Sequence, residues 1–239
     1  MRILLIGYGK MGKTIEQIAL QKNHQIAGII DIQNRESLGD YNSSNTDVAI
    51  EFTHPESAPE NIKYCLQNGI PVVSGSTGWM QHFAEIKDLC QQNSGSFFYA
   101  SNYSVGVNLF FHFNEYIAAK MQAYPGFDVE IKEVHHTQKV DKPSGTAITT
   151  AEGLLKNYPA KNNWVSDSAT PGPQELNIIS ERLADVVGLH TVRYTSEHDT
   201  IELTHNAHSR IGFAEGAVMA AEWLPGKKGI YGMKDLLNL

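Results

Sequence analysis

Short apolar runs and amphipathic stretches alternate through the first hundred residues. Residues 2–6 are an apolar run, and after a glycine-rich turn Ile15, Ile18 and Ala19 recur at helical spacing. Further apolar runs at 25–30, 48–52, 71–73 and 96–100 predict four more strands. Between them the pattern predicts a helix opened by Pro55 and ending before Gly69, and another over 80–92. After Ser104 the pattern changes. It predicts a helix over 107–121, an alternating strand over 127–135, a helix opened by Pro143-Ser144-Gly145-Thr146, and strands at 176–179, 185–187, 190–194 and 200–206. Few helices separate these last strands, so an open mixed sheet is expected, one face free to pack on a helix or another subunit. Residues 158–174, rich in Asn, Pro, Ser and Gly, read as a long flexible connection.

The first turn carries chemistry. Gly7, Tyr8, Gly9, Lys10, Met11 and Gly12 spell G-x-G-x-x-G between a strand and a helix, where glycines allow the backbone to turn tightly and approach a pyrophosphate resting on the helix N–H groups. Residues 7–14 also satisfy the phosphate-loop pattern, with Lys13 and Thr14 in the lysine and hydroxyl positions. The next strand separates the two readings. It ends in Asp31, where a dinucleotide fold places a carboxylate for the ribose hydroxyls, so the dinucleotide reading is favoured. The strand ends after Ile6, at Phe52-Thr53, at Gly75, Ser76 and Thr77, and at Ala100, Ser101, Asn102 and Tyr103 are expected to line one crevice, because ligands of an open parallel sheet bind at its carboxyl edge.

Composition narrows the partners. With 239 residues, 41% hydrophobic and 19% charged, the chain is long enough for a full core in one or two domains. A net charge of -7 offers no general attraction to nucleic acid or anionic membrane, so neither is expected as a partner. No apolar run approaches the roughly 20 residues needed to span a bilayer, and the N-terminus lacks the form of a signal peptide, which points to the cytoplasm. Cys65 and Cys90 fall in amphipathic helical patterns without metal-site spacing and read as buried thiols.

The densest titratable stretch runs over 133–147. His135 and His136 close a strand, Lys139 and Lys142 add positive charge, and Ser144, Gly145 and Thr146 open a helix whose N–H groups suit a carboxylate. Histidine titrates near neutrality and can donate a proton, while lysine can hold a carboxylate or assist protonation; hydride addition followed by protonation is the chemistry suggested. Taken singly, the histidines read as packing or metal binding and Ser-Gly-Thr as a plain cap; it is the glycine turn upstream that tips the balance. His205 and His208 lie three apart in a strand and turn, on opposite faces, which weakens a zinc-pair reading, and no metal site is expected.

These blocks, with Ala100 to Asn108, Val187 to Val192, Ser209 to Ala214 and Gly229 to Met233, resemble the 4-hydroxy-tetrahydrodipicolinate reductase (dihydrodipicolinate reductase) family nearly end to end. The resemblance implies an α/β fold: a Rossmann-type dinucleotide-binding domain over 1–104, completed by C-terminal helices at about 213–239, and an α+β domain over 105–212 with an open mixed β-sheet for substrate binding and oligomerisation. It implies hydride transfer from NADH or NADPH to a cyclic imine dicarboxylate, and a homotetramer. His135 falls on the family's general acid/base and Lys139 on its proton donor, while His136, Ser144, Gly145 and Thr146 fall on substrate-binding positions. Gly7 to Gly12, Asp31, Gly75 to Thr77 and Ala100 to Tyr103 fall on cofactor positions. Where many members have arginine before the loop methionine and after the ribose-binding acid, this chain has Lys10 and Ile32. Asp31 repels a 2′-phosphate while Lys10 or Arg35 offers it a cation, so dual use leaning to NADH is expected. The rival readings are a phosphate-loop hydrolase or kinase, a catalytically inactive nucleotide sensor, and a semialdehyde dehydrogenase, the last lacking a cysteine at a crevice-forming strand end.

Overall fold

The structure, a computed structural model, describes residues 1–209 and 211–239. The chain divides into two compact units, Met1–Val105 with Ile211–Leu239, and Gly106–Arg210. Arg210, which belongs to the family block at 209–214, lies outside the described residues.

The first unit opens with β1 (Arg2–Ile6), α1 (Lys10–Gln21), β2 (Gln25–Ile30), β3 (Val48–Glu51), α2 (Ala58–Gln67), β4 (Val72–Ser74), α3 (Phe83–Gln92) and β5 (Ser96–Tyr99). Its strands pair in parallel. Parallel strands are covered on both faces, which explains why β1 and β3 read as nearly continuous apolar runs. The two-residue period then sorts their side chains. Ile3, Leu5, Ile50, Val73 and Phe98 share one cluster with Ile15, Ile18 and Ala19 of α1 and with apolar residues at 214–224, while Leu4, Ile6, Ala49, Val72 and Phe97 pack with Ile62, Cys65 and Leu66 of α2 and Ile86 and Cys90 of α3. Both cysteines are free, buried thiols. Pro55 does not open α2. Residues 54–57 form a turn in which the Ser57 and Ala58 amides donate to the His54 carbonyl, and Pro59 occupies the first helical turn, where its missing N–H costs nothing.

The helix α4 (Val105–Met121) leads into the second unit, whose elements are β6 (Asp128–His135), α5 (Gly145–Leu155), β7 (Asn163–Ser166), β8 (Glu175–Arg182), β9 (Gly188–Thr195) and β10 (Thr200–Ala207). The sheet order is β10-β9-β6-β8-β7, antiparallel among β10, β9 and β6 and parallel from β6 to β7. One face packs Val129, Ile131, Ile178 and Val192 against Phe110 and Ala118 of α4 and Ala147, Ala151 and Leu154 of α5. The other carries cross-strand ion pairs: Arg193 with Glu130 (3.1 Å) and Glu202 (2.6 Å), and Lys132 with Glu181 (2.7 Å).

Two expectations for this unit need correction. Residues 158–174 are not an unstructured connection. They contain β7, paired with β8, and a buried Lys161 whose ammonium meets Asp128 at 2.7 Å and the Pro173 carbonyl at 3.1 Å. Residues 185–187 are not a strand: they follow a turn at 184–185, with Asp185 in the left-handed region (φ 64°) that short polar side chains tolerate.

The chain returns to the first unit through α6 (Ile211–Trp223), β11 (Gly229–Tyr231) and α7 (Met233–Leu237). Small residues of α6, including Ala214, Ala217, Ala220 and Ala221, let it lie close to the sheet, and a Cβ at Gly216 would stand 1.8 Å from the Tyr103 carbonyl oxygen. The last segment is not wholly helical, since β11 extends the parallel sheet beside β5 to the order β11-β5-β4-β3-β1-β2.

Candidate active site

In the first unit, the carboxyl ends of β2, β1, β3 and β4 surround a cavity of about 680 Å³. Gly7, Tyr8, Gly9, Lys10, Met11, Gly12, Asp31, Gly75, Ser76 and Thr77 line it, together with Thr53, expected at the crevice, Arg35, expected as a cation near the ribose, and Ser57 and Asn61, which the sequence did not single out. The glycines have distinct reasons. Gly7 has φ +96°, and a Cβ there would stand 2.0 Å from the Phe52 carbonyl oxygen; a Cβ at Gly12 would stand 2.2 Å from the Gly7 carbonyl oxygen. A Cβ at Gly9 would meet nothing within 4 Å, which leaves the space in front of the α1 N-terminus open to an anion. Gly9 caps α1 without a side-chain hydrogen bond, so the first-turn N–H groups stay available.

This geometry decides against the phosphate-loop reading. α1 already begins at Lys10, so Lys13 and Thr14 lie within the helix and outside the cavity lining. The Thr14 hydroxyl donates to the Lys10 carbonyl (3.0 Å), and the Lys13 ammonium lies over the Tyr8 ring, 5.6 Å from its centroid. Asp31 stands at the end of β2, accepting from the Ile32 amide (2.8 Å) while Asn34 accepts from its own amide (2.7 Å). Ala100, Ser101, Asn102 and Tyr103, at the end of β5, are not among the residues that line this cavity. Tyr103 is buried in the core, its hydroxyl donating to the Ser74 carbonyl (2.7 Å).

In the second unit, strand alternation builds the constellation. Val129, Ile131, Glu133 and His135 project from one face of β6, so the core face runs directly into a buried carboxylate and an imidazole. Register places Ser180 of β8 and His190 of β9 on either side of Glu133, and Arg182 beside His135. Both Glu133 oxygens accept from the Ser144 amide at 3.1 Å, and Arg182 Nη1 and Nη2 each donate to Oε1 at 3.4 Å. His135 Nδ1 lies 3.3 Å from Glu133 Oε2, an electrostatic contact without the alignment of a hydrogen bond. Burial on its own would push the Glu133 carboxyl up, but the neighbouring His135, Ser144 and Ser180 outweigh it and hold the group well below the usual carboxylate range. His190, whose Nε2 meets Ser144 Oγ at 3.1 Å, is pushed down to about 3, first by burial and then by the nearby His135, so it is neutral at pH 7.

The other expected residues lie on the following loop and helix start. The Ser144 hydroxyl accepts from the Ala147 amide (3.1 Å) and caps α5, and with its amide on Glu133 this residue is committed inside the protein. Gly145 and Thr146 carry first-turn N–H groups of α5, and a Cβ at Gly145 would meet nothing within 4 Å. Lys139 pairs with both Asp141 oxygens (2.8 and 2.9 Å), and half-buried His136 has an Nδ1 without a hydrogen-bond partner among the described residues. Glu133, Arg182 and His190 were not singled out in the sequence. Glu133 had a signal: it continues the apolar face of an alternating strand two residues before His135.

Residues 1–103 match the family model described as dihydrodipicolinate reductase, N-terminus, and residues 106–237 match that for its C-terminus. The chain belongs to the dihydrodipicolinate reductase family. Among relatives of that family, the 4-hydroxy-tetrahydrodipicolinate reductase of Christiangramia forsetii is 46% identical over 240 residues, covering 100% of this chain and 98% of the relative. That of Neisseria meningitidis serogroup B is 36% identical, covering 82% of this chain and 74% of the relative. The dipicolinate-bound dihydrodipicolinate reductase from Paenisporosarcina sp. TG-14 superposes with a TM-score of 0.80 at 25% identity, covering 98% of both chains. The dihydrodipicolinate reductase fold accounts for the α/β architecture with a Rossmann-type parallel sheet and a second, mixed sheet.

Proposed function

We propose that this chain is a 4-hydroxy-tetrahydrodipicolinate reductase, reducing its substrate with NADH or NADPH in diaminopimelate and lysine biosynthesis, in the cytoplasm. The observation that carries the reading is the family match along both units, one bearing the glycine-turn cavity and the other the Glu133, His135 and Ser144 cluster. The relatives' names supply the substrate, and the dipicolinate bound in the Paenisporosarcina structure is a ring dicarboxylate of the same class.

The open space at Gly9, the uncapped N–H groups of α1 and the carboxylate of Asp31 fit a dinucleotide. Bound there, the reduced nicotinamide supplies a hydride. The chain's own residues supply the rest. Gly145 and Thr146 receive a substrate carboxylate on their amides, and Ser144 holds that helix start in place through Glu133. His135, held by the ionised Glu133 and close enough to Gly188 that a Cβ there would crowd its ring (3.1 Å to Nε2), stores the proton that completes the reduction. Lys139 is the second proton donor, reached once its pair with Asp141 opens, and His136 contributes to dicarboxylate binding. The net reaction consumes one reduced nicotinamide and one proton and releases water.

The test follows loss of reduced nicotinamide absorbance with freshly generated hydroxy-tetrahydrodipicolinate and each cofactor in turn. Substrate-dependent oxidation is expected with both and is faster with NADH; oxidation in neither case would overturn the reading. The reading extends to a homotetramer assembled through the second unit's sheet, whose ion-paired face no element of that unit covers among the described residues. Light scattering at micromolar concentration checks the mass.

A further inference from the structure

The carboxyl group of Glu51 has no part in the chemistry above. It closes β3 with 0% exposure, and among the described residues its hydrogen-bond partners are all neutral. Oε2 accepts from the Ser74 hydroxyl at 2.6 Å. Oε1 accepts from the Ser76 hydroxyl (2.8 Å), the Thr53 amide (3.0 Å) and the Thr53 hydroxyl. Burial pushes this group above the usual carboxylate range while the four donors act against it. Core packing has no use for a carboxyl here, since an apolar side chain would avoid the desolvation cost.

Three of those four donors belong to Thr53 and Ser76, both in the lining of the cofactor cavity. The Thr53 amide also reaches Ser76 Oγ at 2.7 Å, so one carboxyl ties the end of β3 to the loop after β4. Phe52, between Glu51 and Thr53, presses its carbonyl against Gly7 and its ring against Gly75, each within 2.2 Å of where a Cβ would stand. The sheet order β4-β3-β1-β2 sets Ser76, Thr53, the glycine turn and Asp31 in a row along one edge. With the pyrophosphate at the turn and the adenosine ribose at Asp31, Thr53 and Ser76 fall to the other half of the dinucleotide.

We infer that Glu51 is a positioning residue for the nicotinamide half of the cofactor, holding Thr53 and Ser76 in place through its carboxyl oxygens. The inference rests on the reductase reading, and the test separates the two. Affinities for NADH and for ADP, which lacks the nicotinamide half, are measured by titration calorimetry on wild type, Glu51→Ala and Glu51→Gln. Glu51→Ala takes the acceptor from three hydroxyl donors and should weaken NADH about tenfold, equivalent to about 1.4 kcal/mol, with ADP affinity changed less than about twofold. Glu51→Gln should recover most of the loss, because its amide oxygen can serve the three donors on the Oε1 side. In steady state the KM for NADH should rise with kcat much less affected. Unchanged NADH affinity, or equal weakening of NADH and ADP, overturns the inference, the second outcome being that of a general structural role. Wild-type protein that fails to bind NADH overturns the reductase reading instead. Should Glu51→Ala not fold, Thr53→Val removes one hydroxyl donor at nearly constant shape and must show the same NADH-selective loss.

Discussion

The cofactor cavity and the histidine cluster solve opposite problems with opposite materials. The cavity is made largely of backbone: glycines at Gly7, Gly9 and Gly12, the free N–H groups of α1, and strand ends whose side chains are short. A long anionic ligand is met there by dipoles already in place, so the protein buries little charge of its own. The cluster in the second unit is made of side chains, with Glu133, His135, Arg182 and His190 drawn together at the end of a core face. A group that stores a proton needs an environment that sets its charge, and low dielectric with paired partners provides one. Backbone sites are therefore sensitive to adding a single carbon, and side-chain clusters to altering charge.

Substituting the proton donor should give the largest effect. His135→Gln should reduce kcat by about 100-fold to 10,000-fold while leaving NADH affinity unchanged, as read by steady-state kinetics and calorimetry; a parallel loss of cofactor affinity would erase the division of labour between the two sites. Next comes the pair Gly7→Ala and Gly145→Ala. The first forces a side chain onto the Phe52 carbonyl at positive φ, at a cost of about 1–3 kcal/mol, and should weaken NADH tenfold or more. The second enters open space and should leave NADH binding unchanged.

Acid should act through the cluster. His190 is lowered in the folded state from 6.5 to about 3, so the unfolded chain binds the extra proton, and stability is lost as pH falls from about 6.5 towards 3. The lowered Glu133 adds a loss of the same sign below its ordinary value of 4.5. Urea unfolding across that range should show a flatter pH dependence in His190→Gln than in wild type. The smallest effect is expected at Asp31, which is exposed: Asp31→Ser should shift the ratio of kcat/KM values a few-fold towards NADPH, by removing repulsion of the 2′-phosphate.

Local pattern made much of this legible in the chain alone. A glycine turn between an apolar run and a helical repeat, an acid at the end of the next run, and a histidine pair before a Pro-Ser-Gly-Thr helix start all depend on neighbours within a few residues, and so do the strands and helices that carry them. The Gly7 turn, the start of α5 and the two-faced packing of β1 and β3 follow from those neighbours. Tertiary structure decided which distant residues meet. Ser144 turns its hydroxyl and amide inward because Glu133 and His190, 11 and 46 positions away, lie beside it. Tyr103 is buried in the core because α6, a hundred residues on, packs against its backbone. Glu51 becomes the tie between two strand ends only because β4 lies next to β3. Strand order and cross-strand register set these contacts, and both follow from the packing of whole faces, which no short stretch of sequence contains.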